Sequence, residues 1–310
     1  MNPATAFSLA WRVVPHLPQP VTRGAARLGA DLLWWRRAGG VPQLEKNLAR
    51  LRPEADQREI RTLSREALRS YAAYYVEAFT LRGLTPFEIE RRVVWVGTED
   101  LRDELEGGSV VLALGHLGNW DLAGAAACRT FGTVLTVAEV LEPRELFEEF
   151  LAFREGLGLE IVPLTKGSSV FRELLRRARA QTRLVPLLAD RDLTRHGIEV
   201  QLAGHPARVA AGPAALALQL GRPLRFVGIR HIRVPAPTRW RPNRTTWGIE
   251  ARFTAPLCVP DGPDAVARLT QAWVDELTAY LREYPTSWNM LQKVFVADLD
   301  PARLNKAANQ

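Results

Sequence analysis

Short β-branched, apolar runs alternate with segments of helical length through most of this chain, and no other feature narrows its fold as much. The runs are VVWV at 93–96, SVVLALG at 109–115, TVLTVA at 133–138, LVPLLAD at 184–190, IEVQLA at 198–203, RFVGIRHIRV at 225–234 and TWGIEARF at 246–253. Alternation of this kind builds an α/β domain, with a mixed and mostly buried sheet between layers of helix. Such sheets carry their sites at the carboxyl ends of the strands, so the residues that close each run are the first to inspect.

At 310 residues and 47% hydrophobic content the chain can bury one large core. Residues 1–40 form an N-terminal extension, and residues 41–310 a single α/β domain. The extension reads as two helical stretches split by Pro15, Pro18 and Pro20, the second, VTRGAARLGADLLWWRR, halted by Gly39 and Gly40. Trp11, Trp34 and Trp35 sit beside Arg12, Arg36 and Arg37, a mixture of indole and cation that settles at lipid headgroups. Membrane contact is therefore expected of residues 1–40; the alternative is that the tryptophans pack on the domain and the arginines are solvated. A longer amphipathic helix is expected from Pro53 to about Leu81, with Leu63, Leu68, Tyr71, Tyr74 and Tyr75 on its apolar face and Gly83 as its stop.

No apolar run approaches the roughly 18–20 residues that span a bilayer, and Arg12 and Pro15 interrupt any signal-peptide core. The protein is expected to stay on the cytoplasmic side. Its charge balance, 41 Lys plus Arg against 34 Asp plus Glu, gives a net +7 that favours anionic partners. Only Lys46, Lys166, Lys293 and Lys306 are lysines, and arginine suits forked contact with phosphate, although a GC-rich genome produces the same bias. Cys128 and Cys258 lie far apart, so no disulfide framework and no metal ligand set is expected.

The run at 109–115 ends on Gly115 and is followed at once by His116, within SVVLALGHLGNWDLAG. His116 thus stands at the carboxyl end of a strand. Asn119 is a suitable N-cap for the helix WDLAGAAACRTF, and Asp121 falls in its first turn, within reach of the imidazole. A carboxylate on one ring nitrogen fixes the tautomer and leaves the other nitrogen basic. The plainer reading is a loop histidine with Asp121 complementing the helix dipole. Gly115 and Gly118 let the backbone approach a substrate.

A second acidic group closes the run at 184–190: Asp190, then Arg191 and Asp192 in the tetrad ADRD. Asp190 faces the same crevice on this reading and supports the imidazolium; otherwise the tetrad is a solvated turn held by Arg191. Glu199, in GIEV, is a further substitute. Glu139 ends the run at 133–138 and suits sugar hydroxyls, while Arg154 suits a phosphate or a site acid; both fit equally as helix-face charges. Residues 205–221, HPARVAAGPAALALQLG, read as a small-residue helix whose start can approach a ligand. The chain has no nucleophile elbow, P-loop, H-E-x-x-H or G-x-G-x-x-G, and no obvious Ser or Cys nucleophile.

GHLGNWDLAG resembles the H-x4-D/E block of the bacterial lipid A biosynthesis acyltransferases. Its Trp-Asp form, with LADRDLTRHGIEV, AGPAALAL and SWNMLQKVF, is most similar to the phosphatidylinositol mannoside acyltransferases of actinobacteria, and AYYVEAF extends the likeness over nearly the whole chain. The resemblance implies a glycerolipid-acyltransferase-like α/β fold, peripheral on the inner face of the plasma membrane. It implies acyl-CoA, typically palmitoyl-CoA, as donor co-substrate, no resident cofactor, no nucleic-acid partner and a monomer. The implied acceptor is an anionic glycolipid, a mannose hydroxyl of a phosphatidylinositol mannoside; a lipid A-type precursor or lysophospholipid is the alternative.

Carried over by motif, His116 is the catalytic base, Asp121 the acid of the same block and Asp190 the carboxylate that pairs with the histidine. Glu139 and Arg154 match acceptor-contacting positions, with Asn119, Asp192 and Glu199 as further substrate-binding candidates. Some members have Glu where this chain has Asp190, which leaves the partner open between Asp190, Asp121 and Glu199. On this reading the acceptor hydroxyl attacks the thioester directly, amides near Gly118 to Trp120 stabilise the oxyanion, and the acyl chain lies in an apolar groove. The competing classes are a metal-dependent hydrolase ligated by His116, Asp121 and Asp190, and a non-catalytic basic lipid-binding protein.

Overall fold

A computed structural model describes residues 9–140, 143–164, 170–194, 196–235, 245–258 and 261–299. Helix α1 is Gln19–Trp35, α2 Val41–Leu51, α3 Gln57–Leu81 and α4 Pro86–Glu90; strand β1 is Val93–Val96, α5 Leu101–Glu106, β2 Val110–Leu114 and α6 Trp120–Thr130. Then follow β3 Val134–Glu139, α7 Arg144–Gly156, β4 Leu159–Leu164, α8 Val170–Ala180, β5 Leu184–Leu188, β6 Ile198–Leu202 and β7 His205–Val209. The chain continues through α9 Gly212–Leu220, β8 Leu224–Arg233, β9 Trp247–Phe253 and α10 Ala265–Glu283.

Seven strands form one sheet in the order β1-β9-β8-β2-β5-β3-β4, and β6 and β7 pair as a separate hairpin. Neighbours in the large sheet are parallel except β8 and β9. This is the mixed, helix-flanked α/β sheet that the alternating runs require. Its centre is β2, VVLAL, buried at all five positions, as expected of a strand covered on both faces. The carboxyl ends of β2, β5, β3 and β8 open on the same edge, which is where the site forms.

Three local readings change. LEIVPL at 159–164 is a strand that Glu160 and Pro163 conceal, tolerated because β4 is the sheet's edge. Residues 205–209 are strand rather than helix: Ala203 and Gly204 both take positive φ, +54° and +83°, a two-residue turn that folds β7 back on β6. Helix α9 begins only at Gly212, with Pro213 in its first turn. The long helix starts at Gln57 because Asp56 caps it, its carboxylate accepting from the Glu59 amide at 2.7 Å.

Of the extension, α1 lies on α3. Asp31 accepts from both Arg65 and Arg69, and the Trp34 indole donates to the Arg61 carbonyl at 2.9 Å beneath the Arg61 guanidinium. Trp11 packs edge-on against Phe79, Phe150 and Phe153. Two of the three tryptophans thus belong to the packed body. Trp35 does not: it is 70% exposed, in a stripe with Leu28 at 72%, Val21 at 58% and Leu32 at 45%. Among the described residues no helix is long and apolar enough to cross a membrane.

Candidate active site

Register alone brings the first pair together. β2 and β5 run parallel with Leu114 opposite Leu188, so the residues two beyond each, His116 and Asp190, stand level at the sheet's edge. His116 Nδ1 lies 2.6 Å from Asp190 Oδ1, and the His116 amide donates to Oδ2 at 2.9 Å. The Trp288 indole donates to the same Oδ2 at 2.8 Å. Asp190 is fully buried while the imidazole is 38% exposed. A proton on Nδ1 directed at Asp190 leaves Nε2 as an open lone pair.

Burial opposes ionisation of the ring, but the Asp190 carboxylate outweighs it and holds the His116 pKa above its ordinary value. Burial would likewise raise Asp190; the imidazole, the Trp288 indole and the His116 amide together hold it below the usual carboxylate range.

The loop that presents His116 is fixed from the C-terminal segment. Asn289 N donates to the His116 carbonyl at 2.8 Å, Gly118 N to the Ser287 carbonyl at 3.0 Å, and Asn289 Nδ2 to the Gly118 carbonyl at 3.1 Å. Gly118 has φ +51°, and a Cβ there would lie 2.7 Å from the Ile229 carbonyl. The glycines bring the loop onto β8 and, at Gly115, onto Asp190. Because the Gly118 amide is committed to Ser287, it is removed from the oxyanion donors expected at 118–120. Asn119 caps α6, accepting from the Leu122 amide at 2.9 Å, and its own amide donates to Glu77 at 2.8 Å.

Asp121 does not pair with His116. As the second residue of α6 it points back toward α3 and α7, accepting from the Tyr74 hydroxyl and from Arg154 Nε, both at 2.8 Å, with 1% exposure. Burial works against the Arg154 cation, but Asp121 overrides it and raises the Arg154 pKa. In the H-x4-D block the acid thus anchors the helix that follows the histidine. Breaking one side of such a buried pair costs about 3–5 kcal/mol, so Arg154→Ala is expected to lower unfolding stability by that order in denaturant titration.

Of the remaining candidates, Glu139 closes β3 with an exposed side chain. Asp192 accepts from the Thr194 amide at 2.8 Å and so organises its own turn. Glu199 is exposed on the hairpin opposite Arg208, away from the ring. Among the carboxylates proposed for His116, Asp190 is the one in contact. Among the described residues no three His, Cys, Asp or Glu side chains converge on a possible metal position.

Two residues that reading by motif did not single out prove central. Trp288 buttresses Asp190 from the end of a 3-10 turn. Glu77, fully buried on α3, accepts from Arg23 and Asn119 and lies 3.3 Å from His231. Burial would raise its pKa, but His231, Arg23 and Arg92 hold it below the usual range.

Between the sheet and α6 runs a narrow apolar cavity of about 80 Å³. Leu114 and Leu188, just ahead of His116 and Asp190, line one end with Trp120, whose ring centroid is 5.7 Å from that of His116. Ala127, Val134 and Leu184 line the other, and Arg154 and Asp121 add a polar strip to the wall. From Leu188 back to Leu184 the cavity follows four residue steps of β5, about 13 Å at about 3.3 Å per residue.

The sequence profile of the bacterial lipid A biosynthesis acyltransferase family matches residues 4–296. The chain belongs to that family. Within it, the phosphatidylinositol mannoside acyltransferase of Mycolicibacterium smegmatis is 35% identical over 300 residues, covering 96% of this chain and 92% of its own. The protein of the same description from Mycobacterium tuberculosis strain H37Rv is 36% identical over 302 residues, covering 96% and 90%. As a lipid A biosynthesis-type acyltransferase, the chain carries its His-x4-Asp block at the mouth of an apolar cavity.

Proposed function

We propose that this enzyme transfers a fatty acyl group, palmitoyl in the first instance, from acyl-CoA to a mannose hydroxyl of a phosphatidylinositol mannoside. The observation that carries the chemistry is the exposed His116 ring, held through Nδ1 by the buried Asp190 at 2.6 Å. The acceptor is supported by the relatives' descriptions, at 35–36% identity over nearly the full chain.

In this mechanism the hydroxyl donates to His116 Nε2 and its oxygen attacks the thioester carbonyl as the proton moves to the ring. Asp190 stabilises the imidazolium so formed. Amides at the start of α6, that of Trp120 among them, have no intrahelical partner and stabilise the oxyanion. The tetrahedral species then expels the CoA thiolate, which takes the proton from the imidazolium and leaves the ester. No covalent acyl-enzyme is needed. Glu139, exposed at the end of β3, contacts the acceptor's sugar, and the enzyme works from the cytoplasmic face of the membrane.

The part of the acyl chain nearest the thioester occupies the cavity under α6, which is shorter than an extended palmitoyl chain, and each methylene buried there contributes about 0.8 kcal/mol, about fourfold in affinity. Ala127→Leu, which fills the end remote from His116, is expected to shift the preferred donor to chains shorter by about two to four carbons, read from kcat/KM across an acyl-CoA series. An unchanged optimum places the chain elsewhere. Membrane contact through the stripe on α1 predicts that Leu28→Ser combined with Trp35→Ser lowers partitioning onto anionic vesicles about tenfold or more in co-sedimentation.

The assay of the whole reading uses purified protein, palmitoyl-CoA and a mannosylated phosphatidylinositol. Mass spectrometry should find one added palmitoyl group on the glycolipid, matched by released CoA. Palmitate appearing instead on a lysophospholipid or a lipid A precursor reassigns the acceptor, and no thioester consumption with any of the three rejects acyl transfer.

A further inference from the structure

Beyond the carboxyl end of β8, α1, α3 and the turn at 284–287 enclose a second cleft of about 540 Å³, which shares no lining residue with the apolar cavity. That is ample room for a substrate fragment. Five arginines line it, Arg23, Arg27, Arg69, Arg230 and Arg233, against one carboxylate, Glu66.

Three of the five are already balanced. Arg23 donates to the buried Glu77, Arg69 forks onto Asp31, and Arg230 forks onto Glu250 at 3.1 and 2.7 Å. Their guanidinium groups are thereby held in place rather than free to collapse on a ligand. Arg27 and Arg233 are both exposed and have no carboxylate partner among the described residues. Arg233 stacks 3.8 Å over Trp247, which forms a wall of the cleft, and donates to Thr246. Arg23 titrates below its ordinary value, first because it is buried, and Arg233 pushes in the same direction against Glu77. A cleft that gathers cations close enough to repel, around aromatic walls and hydroxyls, is built for an anion.

The cleft is also mechanically joined to the reactive loop. His231, in its wall, lies 3.3 Å from Glu77, which accepts from Asn119; Ser287, also in its wall, accepts from the Gly118 amide through its carbonyl. Arg23 and Arg27 project from the same helix whose other side carries the exposed stripe of Val21, Leu28, Leu32 and Trp35.

We infer that this cleft is a phosphate-binding subsite that holds the phosphate-bearing part of one substrate while its reacting end reaches His116. The phosphate comes from the phosphodiester of a lipid acceptor or from the nucleotide end of a CoA donor. The inference rests on the acyl-transfer reading and adds where the anionic end of that substrate sits.

The test measures binding without turnover. Calorimetry at low salt is run with glycerophosphoinositol and with adenosine 3′,5′-bisphosphate, on the wild type and on the double variant Arg27→Gln, Arg233→Gln. Both positions are exposed, so circular dichroism and the unfolding midpoint should be unchanged. One probe is expected to bind the wild type and to lose at least tenfold in affinity in the double variant. Binding of glycerophosphoinositol assigns the cleft to the acceptor, and binding of the bisphosphate to the donor. Failure of both probes to bind, or equal affinity in the double variant, overturns the subsite. A protein that binds a probe in this way but consumes no thioester keeps the subsite and loses the acyl-transfer reading. One that transfers acyl groups with the same KM for both substrates in the double variant does the reverse.

Discussion

His116→Ala is expected to reduce kcat/KM for acyl transfer by on the order of 10²–10⁴-fold, the usual contribution of a positioned general base. The loss should fall on kcat, because on the proposed mechanism the ring contacts the acceptor only at the oxygen that reacts. Stability should change little: the imidazole is 38% exposed, and the loop around it is held by backbone bonds from Ser287 and Asn289 that the substitution leaves intact. Asp190 loses a partner but keeps the Trp288 indole and the His116 amide as donors. A variant with near-native turnover removes His116 from the mechanism.

Asp190→Asn is expected to cost a comparable factor, on the order of 10²–10⁴-fold, for a different reason. The asparagine oxygen can still accept from the Trp288 indole and the His116 amide where Oδ2 does now. Its NH₂ then faces His116 Nδ1 across a 2.6 Å contact in place of a carboxylate oxygen. A donor there favours the lone pair on Nδ1 and moves the proton to Nε2, where it blocks acceptance from the substrate. The variant should fold, and its residual rate should resemble that of His116→Ala.

The two effects carry opposite signs in pH. Since His116 is raised above its unfolded value and Asp190 is held below its own, the His116–Asp190 pair contributes stability that is complete between about pH 4 and about pH 6.5, fades as pH rises through the folded pKa of His116, and fades again as pH falls and Asp190 is protonated. On the proposed mechanism acyl transfer needs the neutral ring, so kcat/KM is expected to rise as pH rises through the folded pKa of His116.

Much of this architecture can be read from residue order, and the reasons are local. The runs that became β2 and β5 are continuous apolar segments, and Gly115 marks the end of the first so sharply that His116 is placed without ambiguity. β4 was hidden because an edge strand tolerates Pro163 and Glu160, and β7 because small residues suit a helix start as well as a hairpin. The choice among carboxylates was out of reach for another reason. Asp121 is five residues from His116 and Asp190 is seventy-four, so proximity in sequence favours the wrong partner, and only the Leu114–Leu188 register reverses it. Trp288 and Glu77 lie in SWNMLQKVF and AYYVEAF, blocks that the family resemblance marks, but their roles depend on contacts between segments distant in the chain. The tryptophans of the extension divided by contact: Trp11 and Trp34 found aromatic and arginine partners, and Trp35 did not enter the body.

The state of the His116 ring is open to direct observation by proton–nitrogen NMR of histidine-labelled protein, titrated between about pH 5 and 9. In the wild type the Nδ1 proton should persist as the ring deprotonates, Nε2 should shift as an unprotonated nitrogen, and the midpoint should lie above about 6.5. In Asp190→Asn the midpoint should drop and the proton should move to Nε2. A wild-type ring that titrates at or below 6.5, with its neutral proton on Nε2, contradicts the assignment of His116 as a base aimed by Asp190.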